Sequence, residues 1–314
     1  MTTMVALVGE QTLPNFLPAR QQHPDNILLV YTKKTQQFYE YLRGKLQMEG
    51  IRVFDLRTDP YKILTIVEEL QGKLNLLKRQ GYISTPLIFN LTGGTKIMSL
   101  AAYQVAAQDK DASVIYMQSE TVPSIINHYG WQGQQLIQQK EEIVTEDTSL
   151  RDMLELHLGP MENAKGEKRW GERKPTANNT DEGLPFEQAI KSALGDGGYE
   201  TLWGIHKEKG NSIEIDVAIG YKNQIGIIEA KLDGKKLEGI KQLSYAMQYL
   251  KATYTKQFIV VASPSSEDLE RMCKTLKIHV IQLPRYKRGP NATSLSDEDR
   301  KILLAEVDKV MGRD

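Results

Sequence analysis

The 314-residue chain is poor in cysteine, and that alone removes two classes of protein. Its one cysteine, Cys273, excludes an intrachain disulfide framework and a cysteine-rich zinc site. Cys273 lies in a helical-looking segment and is read as a buried structural thiol. An excess of either charge is missing too: 40 basic and 40 acidic residues cancel. This excludes bulk attraction to nucleic acid or to a membrane surface, though not a local basic groove. No apolar run approaches the roughly 20 residues of a membrane helix. The opening MTTMVALVGE has too short an apolar stretch for a signal peptide and lacks a basic start, so a cytoplasmic location is expected. The five histidines show no ligand spacing; only His206, near the end of a strand candidate, is of interest. Nothing matches Gly-x-x-x-x-Gly-Lys-Ser/Thr or Gly-x-Gly-x-x-Gly, so neither a P-loop ATPase nor a dinucleotide fingerprint is expected.

What is present divides the chain in two. In the first half, MVALVG (4–9), NILLVYT (26–32), IRVFDL (51–56), PLIFNL (86–91) and ASVIYM (112–117) read as buried strands. Helical patterns at 35–49, 60–79 and 96–108 separate them; Ile63, Val67, Leu70, Leu74 and Leu77 give the second an apolar face. Strand–helix alternation predicts a doubly wound, Rossmann-like parallel sheet over 1–145. Residues 160–182 are polar with Gly and Pro, and 146–182 is read as a linker. The second half, 183–314, has the order α-β-β-β-α-β-α-β before a final helix at 297–311. Its first helix starts near Pro185 and buries Phe186, Ile190, Ala193 and Leu194. Ser265 and Asp268 resemble a capping box on a later helix.

The stretch EIDVAIGYKNQIGIIEAKL (214–232) reads as a hairpin around the turn 221–224. A turn centred on Lys222 and Asn223 sets Asp216 opposite Glu229 and Glu214 opposite Lys231. All four then share one sheet face, while Ile213, Ile215, Val217, Ile219, Ile228 and Leu232 line the other. Like charges directly opposite cost up to roughly 1 kcal/mol. A shared proton or a cation relieves this; a solvated face with a Glu214–Lys231 ion pair is the bland alternative. A divalent ion held by two carboxylates, Asp216 and Glu229, also supplies chemistry. Lys231, two residues beyond Glu229, points the same way and can reach an attacking water or a scissile phosphate.

Ile215-Asp216 followed by Glu229-Ala230-Lys231 resembles the PD-(D/E)xK restriction-endonuclease-like nucleases, over 183–283 and in element order as well as motif. The resemblance implies Asp216 and Glu229 as ligands of Mg²⁺ or Mn²⁺, Lys231 as the catalytic lysine, and an acid on the opening helix, which Glu187 fits. Glu187 is equally a first-turn acid favoured by the helix dipole. Ile215 replaces the usual proline, and Gln242 and Tyr245 are one residue closer than the Gln-x-x-x-Tyr of some relatives; an amphipathic flank explains them as well. Arg285-Tyr286-Lys287-Arg288 is either a contact to substrate backbone or a solvated loop.

In the first half, NLTGGTKIMSLAAY (90–103) sets Gly93 and Gly94 between a strand and a helix, where backbone N–H groups and the helix N-terminus attract an anion. A turn needing positive φ explains the glycines equally. Gln11, Thr12, Thr32, Lys33 and Arg57 gather at the same carboxyl ends of strands, where open α/β sheets bind ligands. Asn90-x-Thr92-Gly93-Gly94-Thr95-Lys96, with Gly9-Glu10-Gln11-Thr12 and Pro14, resembles the CRISPR-associated Rossmann-fold (CARF) sensor domain. A CARF domain fused to a restriction-type nuclease resembles the ancillary nucleases of type III CRISPR systems. That resemblance implies a homodimer binding cyclic oligoadenylate, most often cyclic tetra-adenylate, through Gln11, Thr12, Thr32, Thr92, Gly93, Gly94, Thr95 and Lys96, and activated cleavage of DNA, RNA or both. Two other functions stay open: a catalytically silent nucleic-acid-binding regulator, and an ungated repair or restriction nuclease.

Overall fold

The computed structural model describes residues 1–162, 166, 168–173, 183–207, 213–234, 237–250, 255–289 and 292–313. It falls into two units, Met1–Thr148 and Ser149–Asp314.

The first unit runs β1 (Thr3–Leu7), α1 (Leu13–Gln22), β2 (Asn26–Tyr31), α2 (Gln36–Met48), β3 (Arg52–Arg57), α3 (Ile63–Arg79), β4 (Leu87–Asn90), α4 (Lys96–Ala106), β5 (Ser113–Gln118), β6 (Ile125–Gln132) and β7 (Gln135–Ile143). The sheet order is β3-β2-β1-β4-β5-β6-β7. Its first five strands are parallel, as expected, and β6 and β7 extend it antiparallel. Every residue of β1 and β2 is buried, the mark of a sheet covered on both faces. On α3 the stripe is Ile66, Val67, Leu70, Leu74 and Leu77; Ile63, read as its first member, is 36% exposed. Helix α1 was not expected, because its buried residues run continuously from 14 to 19 instead of recurring at helical spacing. Strand β7 carries no apolar alternation in its sequence, because QLIQQKEEI is almost entirely exposed.

The second unit runs α5 (Leu150–Leu158), β8 (Trp170–Gly171), α6 (Gly183–Asp196), β9 (Glu200–Lys207), β10 (Glu214–Tyr221), β11 (Gln224–Lys231), α7 (Glu238–Leu250), β12 (Lys256–Val261), α8 (Glu267–Leu276), β13 (His279–Gln282) and α9 (Asp297–Met311). The expected α-β-β-β-α-β-α-β order is α6 to β13. The sheet order is β13-β12-β11-β10-β9-β8, with β9, β10 and β11 antiparallel and β11, β12 and β13 parallel. Phe186, Ile190, Val217, Ile219, Ile228, Phe258, Leu303 and Met311 form one core. Helices α5 and α7 also pack on the hairpin strands, so neither face of β10 and β11 is solvated. Cys273, on α8, is buried, which pushes its thiol up to about 11.

Two expectations need correction. The segment 146–182 holds ordered structure in its described part: α5 is a packed helix, and Trp170 is buried with Nε1 donating to the Gly159 carbonyl at 2.8 Å. Polar composition hid this, because one tryptophan and one short strand suffice to dock the segment; residues 174–182 lie outside the described ones. The cap of α8 is Ser266, whose Oγ accepts from Leu269 N at 3.3 Å, while Ser265 binds Glu270 and Gln282.

Candidate functional site

The hairpin turn sets the register of the charged face. Lys222 and Asn223 both adopt left-handed backbone (φ 43° and 64°), the geometry of a two-residue turn that matches strand twist. Tyr221 pairs with Gln224, and the ladder continues to Val217 and Ile228. One step further, Asp216 and Glu229 share a face, as the sequence predicts. There the ladder opens: the Ala230 amide donates to Asp216 Oδ2 at 2.8 Å.

Both carboxyls are buried, Asp216 at 4% and Glu229 at 1% exposure. Gly239 on α7 lies against Glu229 and Lys231; a Cβ there would sit 3.2 Å from Glu229 Cγ. Burial raises both carboxyls, their mutual charge raises Glu229 further, and they share a hydrogen bond. Lys231 opposes this: its Nζ lies 2.6 Å from Glu229 Oε1, and the carboxylates keep the amine protonated despite burial. The ion pair with Lys231 is thus the one described contact of the buried Oε1. Glu187, on the first turns of α6, belongs to the same electrostatic group. Burial and the Asp216 charge raise it to about 7, against Trp203 Nε1, which donates to its Oε2 at 2.9 Å, and Arg173.

Two buried carboxyls that raise one another, with an amine beside them, fit a hard divalent cation. Among the described residues no group of three or more His, Cys, Asp or Glu is disposed to hold an ion. An ion between Asp216 and Glu229 would therefore complete its shell with water or substrate oxygen, as Mg²⁺ does.

The other expected residues divide. Glu214 does not pair with Lys231; it takes Arg173. Gln242 shares a helix face with Gly239, three residues before it, and its Oε1 is buried without a partner; Tyr245 is 61% exposed. His206 pairs across from Glu214 in the ladder, with Nδ1 on the Gly204 carbonyl at 3.0 Å. The 285–288 segment is anchored: Tyr286 is buried with its hydroxyl on Ala292 O, Arg285 pairs with Glu298, and Arg288 donates to Leu232 O. Only Lys287 there is uncommitted among the described contacts. Sequence reasoning missed Arg173 and Trp203. Arg173 sits in a run of charged residues with no periodicity to single it out.

In the first unit the loops after β1 and β4 meet where the strand order reverses, the usual ligand crevice of an open sheet. Gly93 and Gly94 have a packing reason. A Cβ on Gly93 would lie 2.0 Å from the Leu7 carbonyl oxygen, and Gly94 has φ +74°. Asn90 Nδ2 donates to Pro14 O at 2.8 Å, Thr92 Oγ1 accepts from Met117 N at 2.9 Å, and Thr95 Oγ1 caps α4 and donates to Pro60 O at 2.7 Å. Thr12 and Thr32 are buried, and Thr32 is tied to Thr35. Gln11 is half-buried; Lys96, first residue of α4, is exposed, as are Lys33 and Arg57. The threonines and glycines thus build the loop, and the exposed cations are what it offers a ligand.

The comparisons with known proteins agree with this division. The family described as the Card1 CARF domain matches residues 3–147. Can2 from Sulfobacillus thermosulfidooxidans, solved in complex with cyclic tetra-adenylate, superposes with a TM-score of 0.71 at 16% identity, over 99% of each chain. Protein VC1899 from Vibrio cholerae gives 0.74 at 13% identity, over 100% of this chain and 99% of that one. A type III CRISPR defence DNA nuclease activated by cyclic oligoadenylate gives 0.60 at 16% identity, over 99% of this chain and 52% of that one. Among curated proteins no sequence matches.

Proposed function

We propose, from the premise that residues 3–147 are a CARF domain of the Card1 type, that the chain is a divalent-metal-dependent nuclease switched on by a cyclic oligoadenylate, cyclic tetra-adenylate. The observation that carries the catalytic half is the buried Asp216–Glu229 pair with Lys231 beside it, on the middle strands of the second unit's sheet.

Asp216 and Glu229 hold the divalent ion, Mg²⁺ or Mn²⁺. Once bound, such an ion polarises a phosphoryl oxygen and lowers the pKa of its water. Glu229 must give up its proton to bind, so metal binding releases protons. Lys231 is a cation in this setting, and its charge offsets that developing on the phosphodiester. Its 23% exposure leaves the amine reachable from solvent.

In the sensor, Lys96 and the N-terminus of α4 meet the activator's phosphates. The cyclic tetra-adenylate seen with Can2 has four phosphates and two-fold-compatible symmetry. Two copies of the 93–96 loop across a homodimer axis would match it. The activator then favours the arrangement in which the nuclease units accept DNA or RNA.

The test is cleavage of single-stranded DNA, single-stranded RNA and plasmid with Mg²⁺ or Mn²⁺, with and without cyclic tetra-adenylate. Cleavage only with activator and metal is expected. No cleavage under any condition indicates the silent regulator, and equal cleavage without activator indicates the ungated nuclease.

A further inference from the structure

Four acidic side chains, Glu187, Glu214, Asp216 and Glu229, feel one another around the hairpin, and among the described residues the cations paired with them are Lys231 and Arg173. Arg173 follows β8, outside the helix and strands that make the restriction-type order. Its backbone is fixed: its N–H donates to Gly204 O at 2.9 Å. Gly204 is a glycine of necessity, with φ +57° and room for a Cβ only 2.4 Å from Arg173 Cβ. From that position the guanidinium forks. Nη1 donates to Glu187 Oε2 at 3.3 Å and Nη2 to Glu214 Oε1. Trp203 Nε1 donates to the same Glu187 oxygen at 2.9 Å.

Oxygens committed in this way are poor ligands. With Glu187 and Glu214 taken by Arg173, Asp216 and Glu229 are the oxygens left for a divalent ion. We propose that Arg173 is the fixed second cation of this site. It occupies Glu187 and Glu214 and aims Glu187, so that a single divalent ion, held by Asp216 and Glu229, completes the centre. Arg173 is a positioning residue, and the inference rests on the metal-dependent reading given above.

Calorimetric titration of the metal-free full chain with Mn²⁺ tests it. One Mn²⁺ per wild-type chain is expected, lost in Asp216→Asn. Arg173→Gln should admit a second Mn²⁺, or bind the first several-fold more tightly, while activator-dependent cleavage falls roughly ten- to 100-fold, the range for outer partners of metal ligands. Arg173→Lys, which keeps the charge and loses the fork, should keep the count at one and recover part of the cleavage. Two Mn²⁺ per wild-type chain, or an Arg173→Gln protein unchanged in both titration and cleavage, overturns the proposal. Should Arg173→Gln fail to fold, the wild-type count decides. The two readings fail separately: a chain that binds one Mn²⁺ at Asp216 yet cuts nothing sinks the nuclease, whereas a chain that cuts but binds two sinks the role of Arg173.

Discussion

The sensor crevice and the hairpin site are both built at strand ends, but by opposite means. The crevice is open and backbone-rich: glycines allow close approach to β1, threonines close the loop, and cations stand in solvent. The hairpin site is closed and side-chain-rich, with acids buried against one another. An anion can be met by N–H groups that every residue supplies, so the crevice needs particular shapes more than particular side chains. A cation needs carboxylates, and burying them together is costly until it arrives.

That contrast can be broken most directly at the acids. Asp216→Asn or Glu229→Gln should reduce cleavage by at least roughly 100-fold, with activator affinity unchanged in a binding titration; full activity in either would end the assignment. Lys96→Ala should weaken the activator about tenfold and leave Mn²⁺ binding untouched, since it removes a charge-assisted contact from each loop. Gly93→Ala drives a Cβ into the Leu7 carbonyl and should cost about 1–3 kcal/mol, read as earlier thermal unfolding with weakened activator binding.

Acid and base should sharpen the comparison. Glu229 and Glu187 are raised above their ordinary values, so their contribution is full below the ordinary 4.5 and is lost as pH climbs from there through about 7 for Glu187 and about 9 for Glu229. In the first unit, Glu142 is the reverse. Burial pushes it up, but Gln21, Lys140 and Gln22 outweigh that and hold it at about 2, so its contribution is present above the ordinary value and is lost as pH falls toward 2. Metal-free melting curves should therefore show the second unit weakening toward alkaline pH, less in Glu229→Gln and less with Mn²⁺, and the first unit weakening toward acid. The smallest effect is expected at the turn: Lys222→Gly relieves a left-handed lysine and should add about 0.5 kcal/mol without altering cleavage.

Local rules carried the reading where pairing is local. The 221–224 turn and a period of two placed Asp216 beside Glu229 with no knowledge of the rest, and buried apolar runs announced the parallel strands. They failed where a segment is ordered by what it packs against. Helix α1 buries a continuous run, β7 is polar and held by its ladder with β6, and 149–173 is docked by Trp170 and a two-residue strand.

The sequence by itself therefore determined the order from α6 to β13, the five parallel strands of the first unit, the hairpin register and the identity of the paired acids, because these follow from spacing along one or two neighbouring strands. Tertiary structure alone decided that the charged face is buried under α5 and α7, that the glycine loop lies against β1, and that Arg173 reaches Glu187 and Glu214 from a distant segment. Those are contacts between parts of the chain far apart in sequence, and no local periodicity encodes them.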